Sequence, residues 1–465
     1  MKGLTLSNLE KACGGTLYYA KKKTQEEAAC VVIDSRRIEA GGVFIATKGE
    51  RVDGHSFIPQ VFEKGAMAVV CEQLPEQPYG PCILVKDSFR ALTAIASFYR
   101  QQLDCTIVGI TGSVGKTSTK ELIASVLRSG YETCSTEGNF NNEIGVPLTI
   151  LRIREQHKYA VVEMGINHFG EMTRLSAIVK PDIAVLTNIG DCHLEALGDR
   201  PGVLRAKTEI FASMNAQGTV VINGMDDQLC TIGEVNGKRP IRYALQPEGC
   251  ADGKEAAYTA EVAAEGALEG SDVWISGPDG LRFQAHVPLP GRHMVLNALA
   301  ATAVGCLAGL NAEQIKKGIE SVQAVGGRSR IVSAGAYTLI DDCYNANPTS
   351  MRAAIDLLCR ANGRKAAVLG DMFELGAEEL ALHAGVGRYA KEKAVDVLLC
   401  AGKLSEAMAE AAAGMEVYHF ASTEELREHA AEYLQPGDTV LIKASHGMHF
   451  EQIVEHLTAQ DHRKP

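Results

Sequence analysis

The sequence predicts an α/β protein of three domains, and three observations lead there. At 465 residues the chain exceeds what one hydrophobic core organises. Short apolar runs alternate with helix-like stretches along most of its length, the rhythm of parallel sheets covered on both faces. Hydrophobic content of 46% with 22% charged residues is that of a globular chain.

The first hundred residues carry the runs 30–33, 43–46, 67–71 and 82–85, separated by turns such as "EAGG" and "VDGH", and form a small α/β unit. From Thr106 the spacing lengthens: "TIVGI" precedes a helical pattern over 116–128, and "YAVVEM", "IAVLTN" and "TVVIN" follow as further strands. Residues 256–290 break this rhythm, because "DVWISGPDGLRFQAHV" alternates about a Gly-Pro-Asp-Gly turn and predicts a hairpin. A buried helix is expected over 294–310. After "VQAVGGRSR" the α/β rhythm resumes with "YTLIDD", "KAAVLGD", "VDVLLCAG" and "DTVLIKAS". Domain limits of 1–100, 101–325 and 326–465 follow.

A net charge of −11 argues against a nucleic-acid partner. Thirteen cysteines, an odd number with no C-x-x-C pair, read as reduced thiols in a cytoplasmic protein. The segment "MKGLTLSNLEKACGG" places charges too early for a secretory leader. The longest apolar stretch, "HMVLNALAATAVGCLAGL", is interrupted by His293, Asn297 and glycines, so no membrane span is expected.

The chemistry concentrates in "VGITGSVGKTSTKE", where a strand runs through Gly112, Ser113, Val114 and Gly115 into a helix opening with Lys116, Thr117 and Ser118. Glycines let backbone N–H groups turn toward an anion, and a helix N-terminus adds partial positive charge. Lys116 is expected to reach the β- and γ-phosphates, and the Thr117 hydroxyl a Mg²⁺ ion. The alternative is an ordinary Gly-rich turn. The spacing departs from G-x-x-x-x-G-K, since Ile110 stands where the first glycine belongs.

The loop "TGSVGKTS" resembles that of the Mur ligase family, which joins amino acids or peptides to cell-wall precursors with ATP. "EGNFNNEIGVPLTIL", "VVEMGINHFGEM", "LTNIGDCHLEALG", "RAKTEI", "GRHMVLNALAA", "DDCYNANPTSM" and "VLGDMFELG" occur in the family's order, and the likeness covers nearly the whole chain. The last two, with "DSRRIEAGGVFIATKGERVDGH", look like the member that takes UDP-N-acetylmuramoyl-tripeptide and D-alanyl-D-alanine as partners. The resemblance implies a UDP-binding N-terminal domain, a central P-loop ATPase domain and a Rossmann-like C-terminal domain. It implies an acyl phosphate formed on the tripeptide carboxylate, then attacked by the incoming amine. A monomer is expected.

By the same resemblance, Glu163 at a strand end and His193 are metal ligands, and Lys207 reacts with CO2 to give a carbamate that binds a second magnesium. From chemistry alone Glu163 is a strand-end carboxylate, His193 a structural histidine and Lys207 a surface lysine. Asn297, a polar residue on an apolar helix, would meet the adenine edge with His293 beside it; a backbone partner is the alternative. Arg328, with Arg330 as a possible substitute, and Asp342 would reach the α-phosphate and ribose across a cleft, which implies domain closure. Ser35, Arg36, Lys48, Asp53 and His55 would hold the UDP end. Thr136, Asn139 and Asn142 would face phosphate or sugar, and Tyr344, Asn345 and Asn347 the dipeptide. "KASHGMHFE" departs from the family's K-[GA]-S-R-x-M by carrying His446, which leaves Lys443 and Ser445 without a firm role. Rival functions are a third-residue-adding Mur ligase, a folylpolyglutamate synthase, and a P-loop nucleotide switch.

Overall fold

A computed structural model describes residues 1–20 and 25–459. Three sheets follow one another along the chain. The first has β1 (Thr16–Tyr18), β2 (Val31–Val32), β3 (Val43–Ile45), β4 (Ala68–Cys71) and β5 (Cys82–Leu84), in the order β1-β5-β4-β3-β2. Only β1 runs antiparallel to its neighbour. The run 30–33 gives the two-residue β2, whereas the three-residue β1, with both ends exposed, carries little strand signal.

The second sheet has β6 (Thr106–Thr111), β7 (Thr133–Ser135), β8 (Tyr159–Glu163), β9 (Ile183–Leu186), β10 (Thr219–Asn223), β11 (Ile241–Gln246), β12 (Tyr258–Glu265), β13 (Ser271–Ser276) and β14 (Arg282–Val287). Its order is β14-β13-β12-β11-β10-β9-β6-β8-β7. Strands β7 to β12 pair parallel, and the β13–β14 hairpin extends the same sheet antiparallel instead of forming a separate layer. The apolar run of β6 is buried from Ile107 onward because helices cover both faces. One cover is the helix Arg292–Leu307, whose residues from Met294 to Gly305 are nearly all buried. The other includes Ser88–Arg100, capped by the Asp87 carboxylate accepting from the Arg90 N–H at 2.9 Å. That helix packs on Gly145–Arg152, and the buried Tyr99 hydroxyl donates to the Ile153 carbonyl at 2.7 Å. One hydrophobic cluster therefore runs from Leu4 through Tyr99 to Ile222, joining the first unit to the second.

The third sheet has β15 (Arg330–Ala334), β16 (Tyr337–Asp341), β17 (Lys365–Gly370), β18 (Val397–Ala401), β19 (Glu416–Phe420) and β20 (Thr439–Lys443), in the order β15-β16-β20-β17-β18-β19. All pair parallel except β15 with β16. The chain runs in one direction from β15 to β19 and then returns to insert β20 between β16 and β17, and Asp342 after β16 and Lys443 ending β20 line a crevice at the C-terminal ends of these two strands. Among the described residues no helix is long and apolar enough to cross a membrane.

Candidate active site

Strand β6 delivers the chain to Gly112, where the backbone takes φ +152° and an added Cβ would fall 1.9 Å from the Thr187 Oγ1. Only glycine fits there. Thr187 in turn donates to the Val114 carbonyl at 2.6 Å, while Asn188 accepts from the Val114 N–H at 2.8 Å and donates to its carbonyl at 3.1 Å. Ser113 is tied to Gly190, whose N–H it accepts at 2.8 Å. The loop is thus braced from behind by the segment after β9. Gly115, at φ +81°, passes the chain into the helix Lys116–Arg128, which has no side-chain cap. The first backbone bond of that helix is Thr119 N–H to Gly115 O, so the N–H groups before it keep no intrahelical acceptor. Such a terminus is suited to an anion.

Lys116 bends back over the loop, donating to the Gly112 carbonyl at 2.8 Å and more weakly to that of Ser113 at 3.4 Å. Burial, with a smaller contribution from the nearby Lys207 charge, lowers its pKa to about 8. Lys207 lies in the helix Arg200–Thr208 with 1% of its surface exposed. Burial lowers its pKa too, favouring the neutral amine.

Glu163 ends β8 fully buried. Its Oε1 accepts from the Thr117 hydroxyl at 3.2 Å and from the Asn141 amide at 2.7 Å, while its buried Oε2 has no hydrogen-bond partner among the described residues. A desolvated carboxylate oxygen without a donor is costly. Beside a hydroxyl and a glycine loop, it fits a hard divalent cation, which wants oxygen ligands.

A cleft of about 730 Å³ runs between the second and third units. Ser113 to Lys116, Ser118 and Glu163 form its floor, with Asn142, His193, His293 and Asn297 on the central walls. Arg328, Asp342, Tyr344, Asn345 and Asn347 face them from the third unit. Asn297 is 6% exposed, and among the described residues its amide has only the Met294 thioether as a hydrogen-bond partner, at 3.5 Å. Its Oδ1 lies against Gly115, so an amide with capacity to spare overhangs the loop. Burial lowers the His293 pKa, leaving a neutral ring nearby. The Arg328 guanidinium sits 4.0 Å from the Tyr344 ring centroid, and His446 stacks on Tyr344 at 5.4 Å. Arg330, the alternative to Arg328, pairs with Asp341 at 3.4 Å and does not line the cleft.

Several candidates already have structural partners. Asp342 accepts from the Ser329 N–H at 2.9 Å and binds the buried Lys443 ammonium at 2.6 Å. Asn142 accepts from the N–H groups of Ile144 and Gly145, and Asn347 caps the helix Pro348–Leu358. Thr136, 2% exposed, accepts from the Glu163 N–H at 3.0 Å. Asn139 is exposed, and with Thr136 lies off the cleft lining. Ser445 accepts from the Phe373 N–H at 2.9 Å.

The first-unit candidates are not brought into this cleft. Ser35 is buried, its carbonyl accepting from Lys64 at 3.0 Å. Arg36 is exposed and paired with Asp34 at 2.8 Å. Asp53 bonds the His55 Nδ1 at 2.7 Å, and Lys48 forms a backbone bridge to Asp53. Three contributors escaped sequence reasoning: Asn141, which donates to Glu163, Asn188, which braces Val114, and Glu374, which hydrogen-bonds the His193 Nδ1. The first sits in the same Asn-rich run as Asn139 and Asn142, and nothing in that run marks which amide meets the Glu163 carboxylate.

Comparison with known proteins agrees with this architecture. Models of the Mur ligase family match residues 27–98 (its catalytic domain), 110–305 (its middle domain) and 327–446 (its glutamate ligase domain). A UDP-N-acetylmuramoyl-tripeptide–D-alanyl-D-alanine ligase of Bacillus subtilis is 36% identical over 97% of this chain and 98% of its own. A crystal structure of MurF from Acinetobacter baumannii superposes with a TM-score of 0.86 at 33% identity, covering 98% of both chains. MurF of Thermotoga maritima, crystallised with ADP, gives 0.80 at 26% identity over 94% of this chain and 98% of its own. The chain belongs to the Mur ligase family.

Proposed function

We propose that this chain joins D-alanyl-D-alanine to the C-terminal carboxylate of UDP-N-acetylmuramoyl-tripeptide, converting ATP to ADP and phosphate, and so completes a UDP-linked pentapeptide precursor of peptidoglycan. The observation that carries it is the orphaned Glu163 Oε2 beside Thr117, at the foot of a loop built for a phosphate chain. The full-length likeness to ligases of that name supports the choice of substrates.

When bound, magnesium-ATP supplies the phosphoryl group that turns the substrate carboxylate into an acyl phosphate, so that phosphate rather than oxide is the leaving group. The chain's own residues do the positioning. Gly112 to Ser118 would hold the triphosphate, with Lys116 against its terminal groups; Asn297 and His293 would take the adenine. Thr117, Glu163 and His193 are the ligands proposed for Mg²⁺. For Lys207, the neutral amine would attack CO2, form an N–C bond and lose a proton to solvent, giving an anionic carbamate as a further metal ligand. Burial that favours the neutral amine supports this. Arg328 would meet phosphate from across the cleft and Asp342 the ribose, while Tyr344, Asn345 and Asn347 would face the dipeptide. The unit 1–100, with Ser35, Arg36, Lys48, Asp53 and His55, would hold the UDP end, and Thr136, Asn139 and Asn142 the adjoining groups. Units 101–325 and 326–465 would then be the ATP-binding and Rossmann-like domains. We place the enzyme in the cytoplasm, where ATP and a UDP-linked precursor would meet, and as a monomer, since one chain supplies both walls of the cleft.

Phosphate release tests the reaction. It is expected only when UDP-tripeptide and D-alanyl-D-alanine are both present, with lysine- and diaminopimelate-containing tripeptides assayed side by side. Steady hydrolysis regardless of either substrate would mark a nucleotide switch instead.

A further inference from the structure

His193 follows β9 with its backbone at φ +53°, a left-handed conformation that a non-glycine residue holds only when its surroundings compel it. Its Nδ1 hydrogen-bonds the Glu374 carboxylate, 181 residues away in the third unit, while its Nε2 has no partner among the described residues. Glu374 itself sits at φ +63° in the turn after β17. That turn is held rigidly. The fully buried His383 accepts from the Met372 N–H at 2.9 Å through Nε2 and donates to the Glu379 carbonyl at 2.7 Å through Nδ1, and Ser445 accepts from Phe373. A second contact seats the same turn on the central unit. Gly376, at φ +69°, approaches the Glu195 backbone so closely that a Cβ would lie 3.3 Å from its Cα.

We propose that Glu374 is the positioning residue for His193: it accepts the Nδ1 proton and thereby keeps the Nε2 lone pair free for the metal. A histidine that binds a metal through one nitrogen commonly donates its other N–H to a carboxylate, which sets tautomer and ring orientation. Because the carboxylate belongs to the third unit, the histidine is correctly oriented only when that unit is docked, so closure and assembly of the metal site are one event. The inference rests on the reading of His193 as a metal ligand. Glu374 is half exposed, so removing it leaves no cavity in the core.

The test uses the full chain with ADP, with Mn²⁺ as the probe, read by electron paramagnetic resonance, and the imidazole tautomer read by ¹⁵N NMR. Glu374→Ala is expected to weaken Mn²⁺ binding ten- to a hundredfold and to shift His193 away from the Nδ1–H tautomer. Glu374→Gln, which still offers an acceptor oxygen, should restore the tautomer and much of the affinity. Wild-type Mn²⁺ affinity in Glu374→Ala, or an unchanged tautomer there, overturns the proposal. His193→Ala separates the two levels. If it binds Mn²⁺ as wild type, the histidine is no ligand at all; if it loses binding while Glu374→Ala does not, only the positioning role falls.

Discussion

The Thr117 hydroxyl donates to one oxygen of Glu163, while the other lies buried with no donor among the described residues. Such a carboxylate destabilises the resting fold and is retained for what it binds. Glu163→Gln keeps an oxygen for Thr117 and removes the charge. Ligase turnover is expected to fall at least about a hundredfold, while the nucleotide-free protein melts no lower than wild type, and up to about 1 kcal/mol more stably. Calorimetry beside a phosphate-release assay reads both. A parallel loss of stability would mean that the carboxylate is structural.

Lys116, with its pKa lowered to about 8 by burial, should change protonation when nucleotide arrives. A polyphosphate beside the ammonium favours the charged form and raises the pKa again. At pH 8.5, binding of ADP is expected to take up about three-quarters of a proton, and almost none at pH 6.5. Titration calorimetry in buffers of different ionisation enthalpy measures this directly. Lys116→Met should abolish the uptake.

The Asp342–Lys443 pair bears on which third-unit residues are free to bind ligand. Lys443 is 3% exposed, and among the described residues Asp342 is its only carboxylate partner. Asp342→Asn leaves the buried ammonium with carbonyl acceptors, Asn345 O at 2.8 Å among them, but without its counter-charge, and is expected to cost about 3 kcal/mol. Adding Lys443→Met to it should recover most of that. Urea unfolding of the single and double variants decides. If Asp342→Asn instead raises only the KM for ATP with unchanged stability, the carboxylate serves the ribose rather than the fold.

These pairs also mark how far the sequence can be read. The phosphate loop was legible because strand, glycines, lysine and helix are consecutive, and Glu163 because a strand end is local. Asp342 with Lys443, and His193 with Glu374, are joined only by the order of strands in the third sheet and by the docking of one unit on another. No local period encodes either. The β13–β14 hairpin was readable from its alternation, but not its place at the edge of the central sheet, since alternation specifies the two faces of a strand and not its neighbour. Glu374 lies within "VLGDMFELG", but nothing local singles it out there, since an acidic residue in a turn is ordinarily solvated and its partner His193 is 181 residues away.

Lys207 offers the most direct separation of chemistry from stability. Its pKa is lowered by burial, so between that lowered value and 10.5 the unfolded chain holds a proton that the folded chain lacks. Stability gained from the neutral form therefore grows with rising pH through that window, and the penalty for burying the ammonium is fully present below it. Lys207→Met should remove the penalty, so the variant is expected to unfold at higher denaturant than wild type at pH 7, with the gap closing as pH rises toward 10. Turnover should fall by at least about a hundredfold at every pH. A carbamate adds two further signatures. Depleting dissolved CO2 should slow the wild type reversibly, with bicarbonate restoring it, and short carboxylic acids should partly rescue Lys207→Ala by placing a free carboxylate where the modified side chain would stand. A Lys207→Ala variant of full activity, indifferent to bicarbonate, would leave the buried lysine as a structural residue and remove the carbamate from the site.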